Sequence, residues 1–347
     1  MTETSGSKPI GPENGGSLFP EMSPAPQGRK ITTGVLPMQD IRALIREQII
    51  RASVDITDEQ LQPASMDLRL GTVAYRVRAS FLPGAAATVM DKTADHAMHE
   101  IDLSRGAVLE KGCVYIVPLL ESLHLARGDS GMANPKSSTG RLDVFTRLIT
   151  DHATEFDRVT AGYRGPLYAE ISPRTFSILV HTGTRLNQLR LRRGAPVIGD
   201  AALRALQEKL RLVQSEGALD NISKGKIAIS VDLRGDGGDG LVGYRAKKHA
   251  ELIDMDKINH YDPLDYWDPI HARKGRGIIL DPDDFYILAS REPITVPPDL
   301  AAEMVAYDTL VGEFRVHYAG FFDPGFGYFG DGKPGTRAVL EVRSHEV

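Results

Sequence analysis

Val108-Leu109 … Val114-Tyr115-Ile116-Val117 … Glu121 returns later in the chain as Ile279-Leu280 … Phe285-Tyr286-Ile287-Leu288 … Glu292; from 108 to 279, as from 121 to 292, the offset is a constant 171 residues. Glu170 and Glu341 stand at the same offset. Upstream, Ser65-Met66-Asp67-Leu68-Arg69 recurs as Ser230-Val231-Asp232-Leu233-Arg234, and Val73-Ala74-Tyr75-Arg76 as Val242-Gly243-Tyr244-Arg245, at offsets of 165 and 169. Ordered matches whose offset drifts slowly are what duplication followed by small insertions leaves behind. A period this long means tandem domains rather than a solenoid. The chain therefore reads as two copies of one domain, residues 31–194 and 195–347. Ahead of them, residues 1–30 are rich in Gly, Pro, Ser and Glu and bury too little apolar surface to offset ordering entropy, which predicts a disordered tail.

The repeated segments read as strands. Short apolar runs bounded by turn residues occur at Val73–Val77, Val114–Leu119, Leu167–Ile171, Thr175–Val180, Leu186–Leu191, Lys226–Leu233, Phe285–Ala289 and Ala338–Val342. Together with 34 Gly and 21 Pro they predict a mainly-β fold, two tandem barrels or jelly rolls, over alternating βα units. Short helices are expected at Met38–Ile50, from the spacing of Ile41, Leu44, Ile45 and Ile49, and at Ala201–Val213, where Leu203, Leu206 and Leu210 form a stripe and Asp200 is placed to cap.

Composition narrows the function. With 347 residues, 41% hydrophobic and 25% charged, the chain is of the ordinary soluble type. A net charge of −5 offers no global field for nucleic acid or anionic lipid, so neither is an expected partner. No apolar run approaches the ~20 residues of a membrane span, and the N-terminus lacks the order of a secretory signal, so a cytoplasmic location is expected. The single cysteine, Cys113, excludes an intramolecular disulfide and any zinc site that needs two thiolates from one chain.

Two stretches carry possible chemistry. Asn134-Pro135-Lys136-Ser137-Ser138-Thr139-Gly140-Arg141 gathers hydroxyls, a flexible Gly and two cations that can donate to phosphate oxygens, without the spacing of a P-loop. Thr160-Ala161-Gly162-Tyr163-Arg164-Gly165-Pro166-Leu167-Tyr168-Ala169-Glu170-Ile171 is a Gly-bounded turn feeding a strand. Alternation puts Leu167, Ala169 and Ile171 on one face and Tyr168 and Glu170 on the other, away from the apolar side. Such a carboxylate is either solvated or, inside a closed pocket, a general base toward water.

Together these stretches resemble the dCTP deaminase branch of the dUTPase/dCTP deaminase superfamily. Gln62 to Gly71 looks like the strand that leads into the family's domain, Lys136 to Arg141 like its phosphate-binding Ser-Ser motif, Ala161 to Glu170 like its base-binding hairpin, and Gly183 to Leu191 like the strand that follows. In copy two, Pro298 to Ala302 looks like the lead-in to the Ser-Ser motif, and Ala319 to Phe326 with Ala338 to Val342 like the hairpin. Each copy departs from the pattern. Copy one has Thr160 where the family carries Asp, while copy two keeps Asp323 but has Tyr307-Asp308-Thr309-Leu310-Val311-Gly312-Glu313 where Ser-Ser and Arg belong. The chain also stops six residues after Glu341, which predicts that copy two lacks the last strands of copy one.

The resemblance implies hydrolytic deamination of dCTP to dUTP and ammonia, Mg²⁺ accompanying the triphosphate, no zinc, and a homo-oligomer with sites between domain copies. It further implies Glu170 as the base that activates water, Ser137 and Arg141 near the reacting ring, and Lys136, Ser138, Thr139, Gly140, Thr160, Tyr168 and Asp323 as nucleotide contacts. The alternative is a composite site, in which Ser137 and Arg141 face the hairpin of copy two and Glu341 is the base. Two other functions stay open: a dUTP diphosphatase using a hairpin Asp, and a non-catalytic nucleotide-binding or regulatory protein.

Weaker signals read as ordinary structure. His96 and His99 are expected in a solvated loop rather than at a metal, Arg234 to Gly240 in a hairpin turn, and Arg190, Arg192 and Arg193 on a solvated strand face. Tyr261, Tyr266 and Trp267 mark an ordered insertion in copy two with no evident role.

Overall fold

Tyr75, Ile116 and Glu170 lie side by side on three hydrogen-bonded strands, and Tyr244, Ile287 and Glu341 lie side by side on three others. The computed structural model describes residues 33–196, 198–235, 240–272, 277–305, 315–316, 320–330 and 333–343, all within one packed unit. The expected tail and the segment Tyr307 to Glu313 lie outside the described residues. Copy one contributes β1 (Ser65–Arg69), β2 (Val73–Val77), β3 (Ala97–Asp102), β4 (Val114–His124), β5 (Asp129–Pro135), β6 (Val144–Thr150), β7 (Arg164–Pro173) and β8 (Arg185–Arg193). Copy two contributes β9 (Leu241–Ala246), β10 (Trp267–His271), β11 (Phe285–Ile294), β12 (Arg315–Val316) and β13 (Thr336–Arg343).

The order β3-β2-β4-β7-β6 in copy one is repeated as β10-β9-β11-β13-β12 in copy two, antiparallel throughout. Even single hydrogen bonds repeat at the 171-residue offset. The Tyr115 hydroxyl accepts from the Glu110 N–H at 3.0 Å, and the Tyr286 hydroxyl from the Asp281 N–H at 2.8 Å.

Copy one closes a sandwich with a second sheet in which β5, β8 and β1 are neighbours. Its inner face brings Ala133, Leu189, Leu191, Met66 and Leu68 against Tyr115, Val117, Leu167, Ala169 and Ile171. Its outer face is polar, with Asp67 and Asn134 paired in register to Gln188. The counterpart in copy two is reduced, among the described residues, to two short ladders, Ile222–Ser223 with Lys226–Ile227 and Ala302–Glu303 with Phe321–Phe322.

The two copies share apolar core. Phe176 of copy one meets Tyr266 and Trp267 edge-on at centroid distances of 5.7 and 5.6 Å, and Ile178 pairs with Ile253 in a parallel ladder. The Tyr261–Trp267 insertion thus has a role: its aromatic rings weld the copies, each burying a large apolar area against the other.

Several elements depart from the sequence reading. The first helix spans Met38–Arg46 only, because Gln48 takes a left-handed φ of 56° and Ile50–Ala52 pairs with β4. The second spans Asp200–Leu210 with Gly199 at its cap; the Asp200 carboxylate instead accepts from the Lys224 and Gly225 amides. Thr175–Val180 shortens to Ile178–Val180, and Lys226–Leu233 keeps only Lys226–Ile227 and one bridge at Val231. His96 ends a helix over Val89–His96 and stacks on Phe81, while His99 stands in β3 opposite Arg76, so neither is in a loop. No helix among the described residues is long and apolar enough to cross a membrane.

Candidate active site

After β5 the chain makes one helical turn, Ser137–Gly140, before β6. The turn is seated from below, by the Lys136 N–H on the Leu186 carbonyl at 2.8 Å and by buried Thr139 and Gly140. Ser137, Ser138 and Arg141 are therefore left exposed. Lys136, expected on phosphate, is instead paired through its ammonium with the buried Asp67 carboxylate of β1. Burial pushes that carboxyl up and Lys136 pulls it back.

Copy two approaches the same region with β13. Glu341 is only 6% exposed, and burial pushes its carboxyl up to about 7 against the pull of Arg141. Two residues on, a guanidinium nitrogen of Arg343 donates to the Asp143 carboxylate and, at 3.0 Å, to the Thr175 hydroxyl; another donates to the Asp283 carbonyl. A second tie comes from β8. Arg190 donates to the carbonyls of Ala302 at 3.0 Å and Phe322 at 3.4 Å and to the Asp323 carboxylate at 3.1 Å, with its guanidinium 4.0 Å over the Phe321 ring. Arg190 is thus buried under copy two, which corrects the solvated face expected for it; alternation shows which side of a strand is polar, not what covers that side. Asp323, expected on the nucleotide, is pushed up by burial and held by this arginine.

Glu170 is buried, with one carboxylate oxygen held by Arg147. It faces away from Leu167, Ala169 and Ile171 as alternation requires, but that face is covered as well, by a cluster of Val77, Val89, Ile116, Ile149, Ala153 and Tyr168. Arg147, directly opposite on β6, donates to one of its oxygens at 2.5 and 3.1 Å while stacked 3.5 Å from the Phe156 ring centre. Asp157 nearby is pushed up to about 7, chiefly by burial. Tyr168 lies in the apolar cluster with its phenol pushed up to about 12, and Thr160 lines a separate surface cleft with Asp151, His152 and Tyr163. Neither joins Ser137.

The structure thus ties β13 of copy two to copy one through Arg343–Asp143, and Arg141, which follows the exposed Ser137–Ser138 turn, acts on Glu341. A buried carboxyl pushed up to about 7, with a cation acting on it, is suited to taking a proton from water next to an anionic ligand. Asp67, Asp143, Arg190 and Arg343 were missed as contributors, although Asp67 lies inside a repeated stretch. The one group of potential metal ligands among the described residues, His181 with Asp254 and Asp256, includes neither His96 nor His99.

Both halves of the chain match known domains. Residues 32–195 match the N-terminal domain of 2′-deoxycytidine 5′-triphosphate deaminase, and residues 199–347 match its C-terminal domain. Among solved structures, the chain is similar to the crystal structure of 2′-deoxycytidine 5′-triphosphate deaminase from Agrobacterium tumefaciens. The two are 56% identical, with a TM-score of 0.86 over 91% of this chain and 94% of that one. No curated protein sequence matches significantly.

Proposed function

The chain belongs to the 2′-deoxycytidine 5′-triphosphate deaminase family and deaminates dCTP to dUTP and ammonia, and we propose that it does so at the composite site, with Glu341 as general base. The observation that carries this assignment is the state of Glu341. Its carboxyl is buried and pushed up to about 7 by that burial against the pull of Arg141, whereas the duplicate Glu170 is bound to Arg147.

In the proposed reaction Glu341 takes a proton from water as the oxygen adds to C4 of cytosine and delivers it to N3; it then carries the proton of the new hydroxyl to the amino nitrogen, which leaves as ammonia as the C4 carbonyl forms. Arg141 and Ser137 supply charge and hydrogen bonds near the ring, and the Ser137–Ser138 turn receives phosphate oxygens. A general base contributes ~10²–10⁴-fold, so orientation of water and fixed charge supply the remainder. Mg²⁺ enters as part of the substrate, on the triphosphate. Water activation needs no zinc, since one cysteine cannot form the thiolate set of zinc nucleobase deaminases.

Incubation with dCTP, CTP and dUTP, followed by ammonia assay and nucleotide chromatography, tests the assignment. Ammonia release from dCTP is expected to disappear in Glu341→Gln and persist in Glu170→Gln; the reverse result would return the base to copy one. Metal analysis should find no stoichiometric zinc.

A further inference from the structure

Glu341 and Arg343 are two residues apart on β13, so their side chains leave the same face about 6.5–7 Å apart. Opposite them, Arg141 and Asp143 are two residues apart beyond the Ser137–Gly140 turn. The order of charge is inverted between the segments: Arg141 acts on Glu341, and Asp143 takes Arg343. A slip of β13 by two residues would set Arg343 against Arg141 or Glu341 against Asp143, like charge on like. Only one register suits both pairs.

Asp143 is the fixed half of this contact. It is fully buried with a left-handed φ of 54°; its N–H reaches the Gly140 carbonyl at 2.9 Å, its carbonyl accepts from the Arg174 N–H at 2.9 Å, and its carboxylate accepts from the Thr175 hydroxyl at 2.6 Å. All of these partners belong to copy one. Arg343 brings the other copy to it, and does so with its own Nε buried and without a hydrogen-bond partner among the described residues. A buried donor left unmatched is unfavourable, so the side chain's placement follows the Asp143 contact rather than its own satisfaction.

We propose that Arg343 is a positioning residue for the deamination: by gripping Asp143 it holds β13 where Glu341 faces Arg141 and the Ser137 turn. This rests on Glu341 being the base. Arg343 touches neither water nor nucleotide in this role; it acts through Glu341.

The test compares Arg343→Met, Arg343→Lys and the double variant Arg343→Met/Asp143→Asn with the unmodified enzyme. Arg343→Met is expected to lower kcat at least about tenfold with little change in KM, because misplacement of a base affects the chemical step rather than binding. The acid limb of its kcat–pH profile should move to higher pH, since Glu341 loses the pull of Arg141. Arg343→Lys should recover part of kcat and return the limb toward its place.

The double variant separates position from folding. It removes the charge that Arg343 had balanced along with Arg343 itself, so its melting temperature should recover while kcat stays low. Recovery of both would overturn the proposal and leave Arg343 a purely structural residue, as would a single variant with unaltered kcat and pH limb. Glu341→Gln is measured alongside: turnover surviving there removes the base itself, a different failure from one seen only in the Arg343 series.

Discussion

Glu170 and Glu341 occupy equivalent places in two sheets of the same strand order, each beside an isoleucine of the neighbouring strand, Ile116 or Ile287. Their surroundings differ. Around Glu170 the opposite strand supplies Arg147, which binds one of its oxygens at close range between two aromatic rings. Around Glu341 the cation comes from the other copy and is itself exposed, so burial dominates and the carboxyl keeps its proton up to about pH 7. In the proposed site, copy one supplies the anion-binding turn and copy two the acid.

The largest effect that would sharpen this contrast is in turnover. Glu341→Gln should lower kcat by ~10³-fold while dCTP binding survives, whereas Glu170→Gln should leave kcat within about threefold and lower stability instead, by about 1–2 kcal/mol, because a weaker acceptor remains for Arg147. Stopped ammonia assays and calorimetric binding read the first pair; thermal melts read the second. Comparable loss of kcat in both variants would break the contrast.

Next comes pH. The base must be deprotonated, so kcat/KM should rise through about pH 7 on its acid side, and Arg141→Met should move that limb upward while lowering kcat by ~10-fold or more. The same raised carboxyl bears on stability. Between the unfolded value of 4.5 and about 7 the native state holds a proton that the unfolded chain has released, so stability falls as pH rises through that window. Glu341→Gln, lacking this liability, should melt at a higher temperature than the parent at pH 8 and show little difference at pH 4. An equal difference at both values would contradict the burial of Glu341 as a charged group.

A smaller effect is expected at the second tie between copies. Arg190→Met frees Asp323 and the Ala302 and Phe322 carbonyls, and should raise KM for dCTP several-fold, by ~1 kcal/mol of binding, with kcat less affected. A fall in kcat at constant KM would instead assign Arg190 to the chemical step.

The two sheets that carry the glutamates were legible in the sequence because the 171-residue repeat fixed which strands correspond, and alternation along 167–171 correctly separated Leu167, Ala169 and Ile171 from Glu170. What covers the far face was not legible. Tyr168 and Glu170 look polar-side by pattern, yet Val89 and Ala153 arrive from segments that pattern does not link to them. Lys136 and Arg190 read as free cations because Asp67 and Asp323 are 69 and 133 residues away, and nothing local announces an ion pair at that separation. Thr175–Val180 shows the same limit on a smaller scale: Thr175 left the strand to bind Asp143.

Arg141 and Glu341 belong to one polypeptide, and this bears on dilution. Where a base and its facing cation come from separate chains, their encounter depends on concentration; where a covalent path joins them, their effective concentration is constant. Turnover per chain should therefore stay level as the protein is diluted, at least for the part of the rate that depends on this pair. A cell making few copies would lose none of the pairing that a cell making many enjoys.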